Sequence, residues 1–118
     1  MNSTPRILVV EDDTAMRDLL ADELREAGFA IVTAADGNEA LRQLDRHEVN
    51  AVVTDLQMPG LTGDQLLEAI RTRDSRLPVV IITAFGTIDT AVKTIKAGAF
   101  HFLPKPFPMH QLVATLEE

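Results

Sequence analysis

The 118 residues include no cysteine, no tryptophan and no tyrosine. Without thiols there is no disulfide framework, no thiolate metal site and no cysteine nucleophile. Positive charge is also scarce. Eleven Lys and Arg stand against eighteen Asp and Glu, a net charge of −7 with no basic stripe, which argues against direct contact with nucleic acid. No apolar run approaches the ~20 residues of a membrane span, and Met1 to Arg6 lacks the apolar core of a signal peptide. The chain reads as soluble and unsecreted, compatible with a reducing cytoplasm. What is present is enough apolar side chain, 46%, to build one core, and residues 1–118 are read as one domain.

Five apolar runs lack polar alternation, as expected of strands covered on both faces. They are Arg6 to Val10, Phe29 to Ala35 (the weakest), Asn50 to Asp55, Val79 to Thr83 and Phe100 to Leu103. Between and after them apolar residues recur at helical spacing: Met16, Leu19, Leu20 and Leu24; Ala40, Leu41 and Leu44; Leu66, Leu67 and Ile70; Ile88, Ala91, Val92 and Ile95; Met109, Leu112, Val113 and Leu116. Gly28 and Gly98 read as helix stops, Asp13 or Thr14 as the first helix cap, and Asp36-Gly37-Asn38 as a turn. The connections are too short for anything but direct β-to-α alternation. The expected fold is α/β, a five-stranded parallel sheet with helices on both faces.

In such a sheet ligands bind outside the C-terminal strand ends, at the point where strand order reverses. The residues at those ends form a set suited to a phosphoryl group: Glu11-Asp12-Asp13, then Asp55, then Thr83, then Lys105. Carboxylates brought together in a partly dry crevice repel by ~4 kcal/mol per pair at 4 Å and an effective dielectric near 20. A cation offsets that, and an all-oxygen site suits Mg²⁺. Asp12 and Asp55 are expected as direct ligands, the backbone carbonyl near Gln57 as a third, and Glu11 through water. For Asp13 helix capping is the better reading. A metal beside Asp55 neutralises charge on an incoming phosphoryl group, so that a carboxylate oxygen can attack phosphorus. Lys105, between Pro104 and Pro106, supplies a point cation, and Lys105-Pro106 is a candidate cis bond. Thr83 offers a hydroxyl, and Phe102 is read as a core aromatic with two packed positions. His47, His101 and His110 have no metal or triad spacing, and Gly86-Thr87 is no phosphate loop.

These residues resemble a bacterial response-regulator receiver domain over essentially the whole chain. The motifs are Ile7 to Asp13, Asp55 with Met58-Pro59-Gly60, Thr83-Ala84 and Lys105-Pro106-Phe107. The resemblance implies a strand order of 2-1-3-4-5, taken from the family and not predicted, since a chemotaxis receiver is itself the standard example of that order. It implies that Asp55 accepts a phosphoryl group from a phosphohistidine on a sensor histidine kinase, with Glu11 and Asp12 as the acid pair, Lys105 as the site lysine, and Thr83 and Phe102 as a switch pair in which Phe stands where many members have Tyr. The stretch Thr83 to Val92 followed by Lys96 to Phe100 is similar to nitrogen-regulation-type activators, in which an ATPase and a DNA-binding output domain follow the receiver. Neither is in this chain, which is expected to be a fragment ending at Glu117-Glu118 inside a helix. Phosphorylation is then expected to remodel the surface of the fourth helix, fifth strand and fifth helix, where Ile88, Ala91, Val92 and Phe100 lie, and to control dimerisation and the output domain. Gln57 and Phe85 flank the site and are expected to tune the lifetime of the acyl phosphate.

Three rivals compete. A Mg²⁺-dependent phosphatase-type hydrolase wants a second Asp two residues after the nucleophile, and that position is Gln57. A flavin module on the same fold lacks Trp and Tyr to stack the ring. A degenerate receiver would serve as a constitutive interaction module. The chain is not expected to be an enzyme beyond its own phosphorylation and dephosphorylation.

Overall fold

Each apolar run becomes a strand and each helical spacing a helix. A computed structural model of the protein describes residues 4–84 and 87–117. Within them the chain runs β1 (Arg6–Val10), α1 (Thr14–Glu26), β2 (Ala30–Ala34), α2 (Gly37–Arg46), β3 (Ala51–Asp55), α3 (Gly63–Arg73), β4 (Val79–Thr83), α4 (Ile88–Lys96), β5 (His101–Pro104) and α5 (Met109–Leu116). All strand pairs are parallel and the order is β2-β1-β3-β4-β5. This is the expected architecture, order included.

Successive side chains of a strand point to opposite faces, so the continuous runs feed two cores. Leu8, Val10, Val52, Val79 and Ile81 pack with Ala40 of α2 and with Leu66, Leu67 and Ile70 of α3. Ile7, Val9, Val53, Val80 and Ile82 pack on the other face with Leu20 and Leu24 of α1 and Leu112 of α5. β3 and β4 are buried throughout, whereas β2, at the sheet edge, is half-exposed along most of its length, which is why its run read as the weakest.

The structure revises several local readings. Asp36-Gly37-Asn38 is not a turn. Asp36 caps α2, its carboxylate accepting from the Glu39 amide at 2.8 Å, so the helix starts at Gly37. Asp13, not Thr14, caps α1 by accepting from the Met16 amide at 2.9 Å. Leu19 shares its helix with the buried Leu20 but is 50% exposed. β5 begins at His101, leaving Phe100 outside the strand and 42% exposed, although its amide still donates to the Val79 carbonyl. α4 buries only Thr94 among its nine residues, and its apolar Ile88, Val92 and Ile95 face solvent. Other readings hold: Lys105-Pro106, a candidate cis bond in the sequence, is cis. Gly28 and Gly98 have φ of 103° and 109°, the left-handed geometry that ends α1 and α4.

Candidate functional site

β1 and β3 are neighbours because the chain reverses direction across the sheet between them. Their C-terminal ends therefore open onto one crevice. Asp55 is the last residue of β3 and only 7% exposed. Glu11 follows β1 directly and is buried, its amide donating to the Ala34 carbonyl at 3.1 Å, while Asp12 is exposed at the rim. One carboxylate oxygen from each of Glu11, Asp12 and Asp55 lies within 4.8 Å of the others. The Asp13 carboxylate caps α1 instead of joining this group, while its amide donates to Glu11 Oε2 at 3.3 Å.

Lys105 reaches back over the crevice from the loop after β5. Its Nζ donates to Asp55 Oδ2 at 2.8 Å and to Glu11 Oε1 at 2.7 Å. Its backbone is held by a hydrogen bond that the Lys105 amide donates to the Thr83 carbonyl at 2.8 Å. The other Asp55 oxygen, Oδ1, accepts from the Gln57 amide at 3.0 Å. The Asp55 carboxylate is thus oriented at both oxygens, and its loop folds sharply to supply the Gln57 donor. Thr83 ends β4, is fully buried and sits beside Pro104 in the sheet register. Phe102 pairs with Ile81 and is half-buried against the same core face, so it is less enclosed than a core residue. Phe85 lies outside the described residues. The Lys105 to Glu11 pair is the contact that sequence reasoning missed. The signal was present in the excess of acids over cations at the strand ends, which left Lys105 to serve two buried carboxylates.

Three carboxylates meet the Lys105 ammonium in the crevice, with the Arg17 guanidinium donating to the Glu11 carbonyl at 2.9 Å beside them. Burial pushes the Glu11 carboxyl above its usual 4.5, although the hydrogen bond and charge of Lys105 pull it back. For Lys105 burial alone would lower the ammonium, but its hydrogen bonds to Asp55 and Glu11 outweigh this and hold it above 10.5. A carboxyl raised in the fold contributes stability that is present below the unfolded value of 4.5 and lost as pH rises through the folded one. In metal-free buffer, Glu11→Gln should therefore gain stability relative to the wild type as pH increases from about 4.5 to neutrality. Denaturant melts at pH 4.5 and 7 check the sign. The donor set itself, all carboxylate oxygen, fits a hard divalent ion such as Mg²⁺ and not a thiophilic one.

Gly63, at the start of α3, closes the loop against the end of β3. A Cβ built on it would lie 2.4 Å from the Asp55 carbonyl oxygen and 2.6 Å from Leu56 Cα, both backbone. Gly63→Ala must displace the segment that carries Asp55, at a cost of about 1–3 kcal/mol. The melting temperature and the rate of any reaction at Asp55 should both fall.

The model of the family described as "Response regulator receiver domain" matches residues 7–117. "Transcriptional regulatory protein PrrA" of Mycobacterium tuberculosis is 39% identical over 98% of this chain, and the NtrC DNA-binding transcriptional regulator of Salmonella typhimurium is 40% identical over 94%. The chain spans about half the length of the first relative (49%) and about a quarter of the second (24%). Among solved structures, response regulator protein TrrA from Thermotoga maritima, in complex with Mg²⁺ and BeF, superposes with a TM-score of 0.88 at 31% identity over 97% of each chain. A parallel 2-1-3-4-5 sheet, a carboxylate crevice at its switch point and a match over nearly every residue lead to one assignment: the chain belongs to the response regulator receiver domain family.

Proposed function

We propose that this domain is a phosphorylation-activated switch in which Asp55 is the phosphoacceptor. The observation that carries the reading is the convergence of Glu11, Asp12 and Asp55 within 4.8 Å, with Lys105 Nζ 2.8 Å from Asp55 Oδ2. Glu11, Asp12 and Asp55, together with the Gln57 backbone carbonyl expected from the sequence, would hold Mg²⁺. When bound, the ion supplies positive charge that offsets the phosphoryl oxygens. An Asp55 carboxylate oxygen then attacks the phosphorus of a phosphohistidine. The O–P bond forms, the P–N bond breaks, and its electron pair returns to the donor imidazole. The Gln57 amide keeps the carboxylate in one orientation, Lys105 pairs with the transferred phosphoryl oxygens, and the Thr83 hydroxyl serves as a further donor to them.

The donor is a sensor histidine kinase, and the consequence is a rearrangement of Thr83 and Phe102 that alters the face of α4, β5 and α5. That face carries the exposed Ile88, Val92 and Phe100. The readout is self-association and control of an output domain, as in a regulator of the nitrogen-regulation type. No helix among the described residues is long and apolar enough to cross a membrane, which fits a cytoplasmic switch.

Incubation with acetyl phosphate, with and without Mg²⁺, tests the reading by intact mass and sedimentation. A gain of one phosphoryl group that requires Mg²⁺ is expected. Mg²⁺ at a hundredfold excess over its dissociation constant should also stabilise the unphosphorylated fold by about 2.7 kcal/mol. Absence of both effects would leave a constitutive interaction module as the better reading.

A further inference from the structure

α4 is attached very unevenly. Only Thr94 of its nine residues is buried, and Ile88, at the end nearest the site, is 84% exposed. Between α3 and α4 lies an open groove of about 910 Å³ that runs from Leu56 and Gln57, beside Asp55, to Arg71 and Ala97. At that far end one side chain binds three segments. The Arg71 guanidinium donates from Nε to the Gly98 carbonyl at 3.0 Å, from Nη1 to the Asp74 carbonyl at 2.9 Å, and from Nη2 to the Leu77 carbonyl. Gly98 is shaped for this: a Cβ there would lie 2.8 Å from Arg71 Nε. The bonds join the last turn of α3, the approach to β4 and the chain leaving α4. Of the three bonds the one to Gly98 reaches the chain leaving α4, and the other two fix the guanidinium that donates it; a charge-assisted hydrogen bond outweighs a neutral one.

We propose that Arg71 is a positioning residue that pins the C-terminal end of α4, making α4 a lever whose free end faces the phosphorylation site and whose clearance is the α3–α4 groove. The walls of the groove carry Asp64 and Glu68 on α3 and Asp89 and Lys93 on α4. Glu68 stands on α3 and Lys93 on α4, and neither takes part in an ion pair among the described residues. A swing about the Arg71 pin that narrows the groove brings Glu68 toward Lys93 and, at the end nearest the site, Asp64 toward Asp89, so wall charge alone does not set its direction. The free end is where leverage is available: Thr83, buried at the crevice, lies four residues before the α4 cap, Thr87. Low local burial is the physical signature of a segment that opens below the global unfolding free energy. The pin stands on the contacts alone, whereas the swing rests on the phosphorylation reading above.

Amide hydrogen exchange on the whole 118-residue chain tests both parts. In the unphosphorylated protein, Arg71→Met should speed exchange in the peptide over residues 94–100 on the order of tenfold to a hundredfold, the loss expected for a charge-assisted bond. Exchange in β1 and β3 should stay the same. Unchanged protection over 94–100 overturns the pin. If Arg71→Met lowers protection everywhere, Arg71→Lys, which keeps the charge without the three-way fork, carries the test and must still loosen 94–100 selectively. With beryllofluoride and Mg²⁺ bound to the wild type, exchange should change over residues 88–93 while 94–100 stays protected. A uniform change along α4, or one confined to its C-terminal end, overturns the lever. If beryllofluoride fails to bind, the phosphorylation reading fails and with it the swing, while the effect of Arg71→Met still decides the pin.

Discussion

Lys105→Ala is expected to destabilise the domain by about 3–5 kcal/mol at neutral pH, the cost of removing one partner from a buried ion pair. For a chain of this length that lowers the melting temperature by roughly 10–20 °C. The size follows from the geometry. Among the described residues Lys105 is the cation paired with both Glu11 and Asp55, whose side chains are 2% and 10% exposed, and its own is 17% exposed, so little solvent screens the three. Without it two carboxylates face each other and Asp12 with nothing between them. Glu11, already raised by burial, then takes up a proton more readily. A group raised in the fold loses its stabilising contribution as pH rises, so the deficit of Lys105→Ala should be small near pH 4.5 and grow toward neutrality. Mg²⁺ should restore part of the loss, and should stabilise this variant more than the wild type because it no longer shares the acids with an ammonium. Thermal melts at two pH values, each with EDTA and with Mg²⁺, give all four comparisons. Equal stability of variant and wild type at neutral pH would mean that the ammonium is not what balances the crevice.

Asp55→Asn is expected to abolish phosphoryl uptake from acetyl phosphate while leaving the fold intact. The amide oxygen can still accept from the Gln57 amide, which now donates to Asp55 Oδ1 at 3.0 Å, so the loop has no reason to move. What is lost is a nucleophile, since an amide oxygen does not form the acyl phosphate. Stability in metal-free buffer should rise by about 0.5–2 kcal/mol, because Lys105 keeps its bond to Glu11 at 2.7 Å while the repulsion at Asp55 disappears. Stabilisation by Mg²⁺ should shrink, one of the three carboxylates being gone. Opposite signs for function and stability are characteristic of a site that holds like charges together for chemistry. Retained phosphorylation at the wild-type rate would place the acceptor on another carboxylate, and Asp12, exposed at the rim, would be examined next.

The sheet was legible because its strands are buried on both faces, which turns each into an unbroken apolar run such as Val79 to Ile82. Less legible were segments decided by neighbours. Phe100 and the apolar stripe of α4 carry the same letters as buried residues, yet Ile88, Val92, Ile95 and Phe100 lie open because no element among the described residues packs over them. Asp36-Gly37-Asn38 read as a turn, and the structure makes Asp36 the cap of α2 through its bond from the Glu39 amide. The order 2-1-3-4-5 came from resemblance, since apolar periodicity carries no information about which strand lies beside which.

The sequence by itself determined which residue types stand at the ends of the strands: acids after the first and third, a hydroxyl at the fourth, an ammonium after the fifth. That follows from local pattern, because an apolar run stops where a polar residue begins. Only the tertiary structure decided that Lys105 would serve Glu11 as well as Asp55, residues 94 and 50 positions away. Partners so distant meet through sheet register and crossover, and Arg71, which reaches Gly98 across 27 residues, is chosen in the same way. Long-range packing brings charges to within 3 Å of each other, and no local period in a chain encodes that distance.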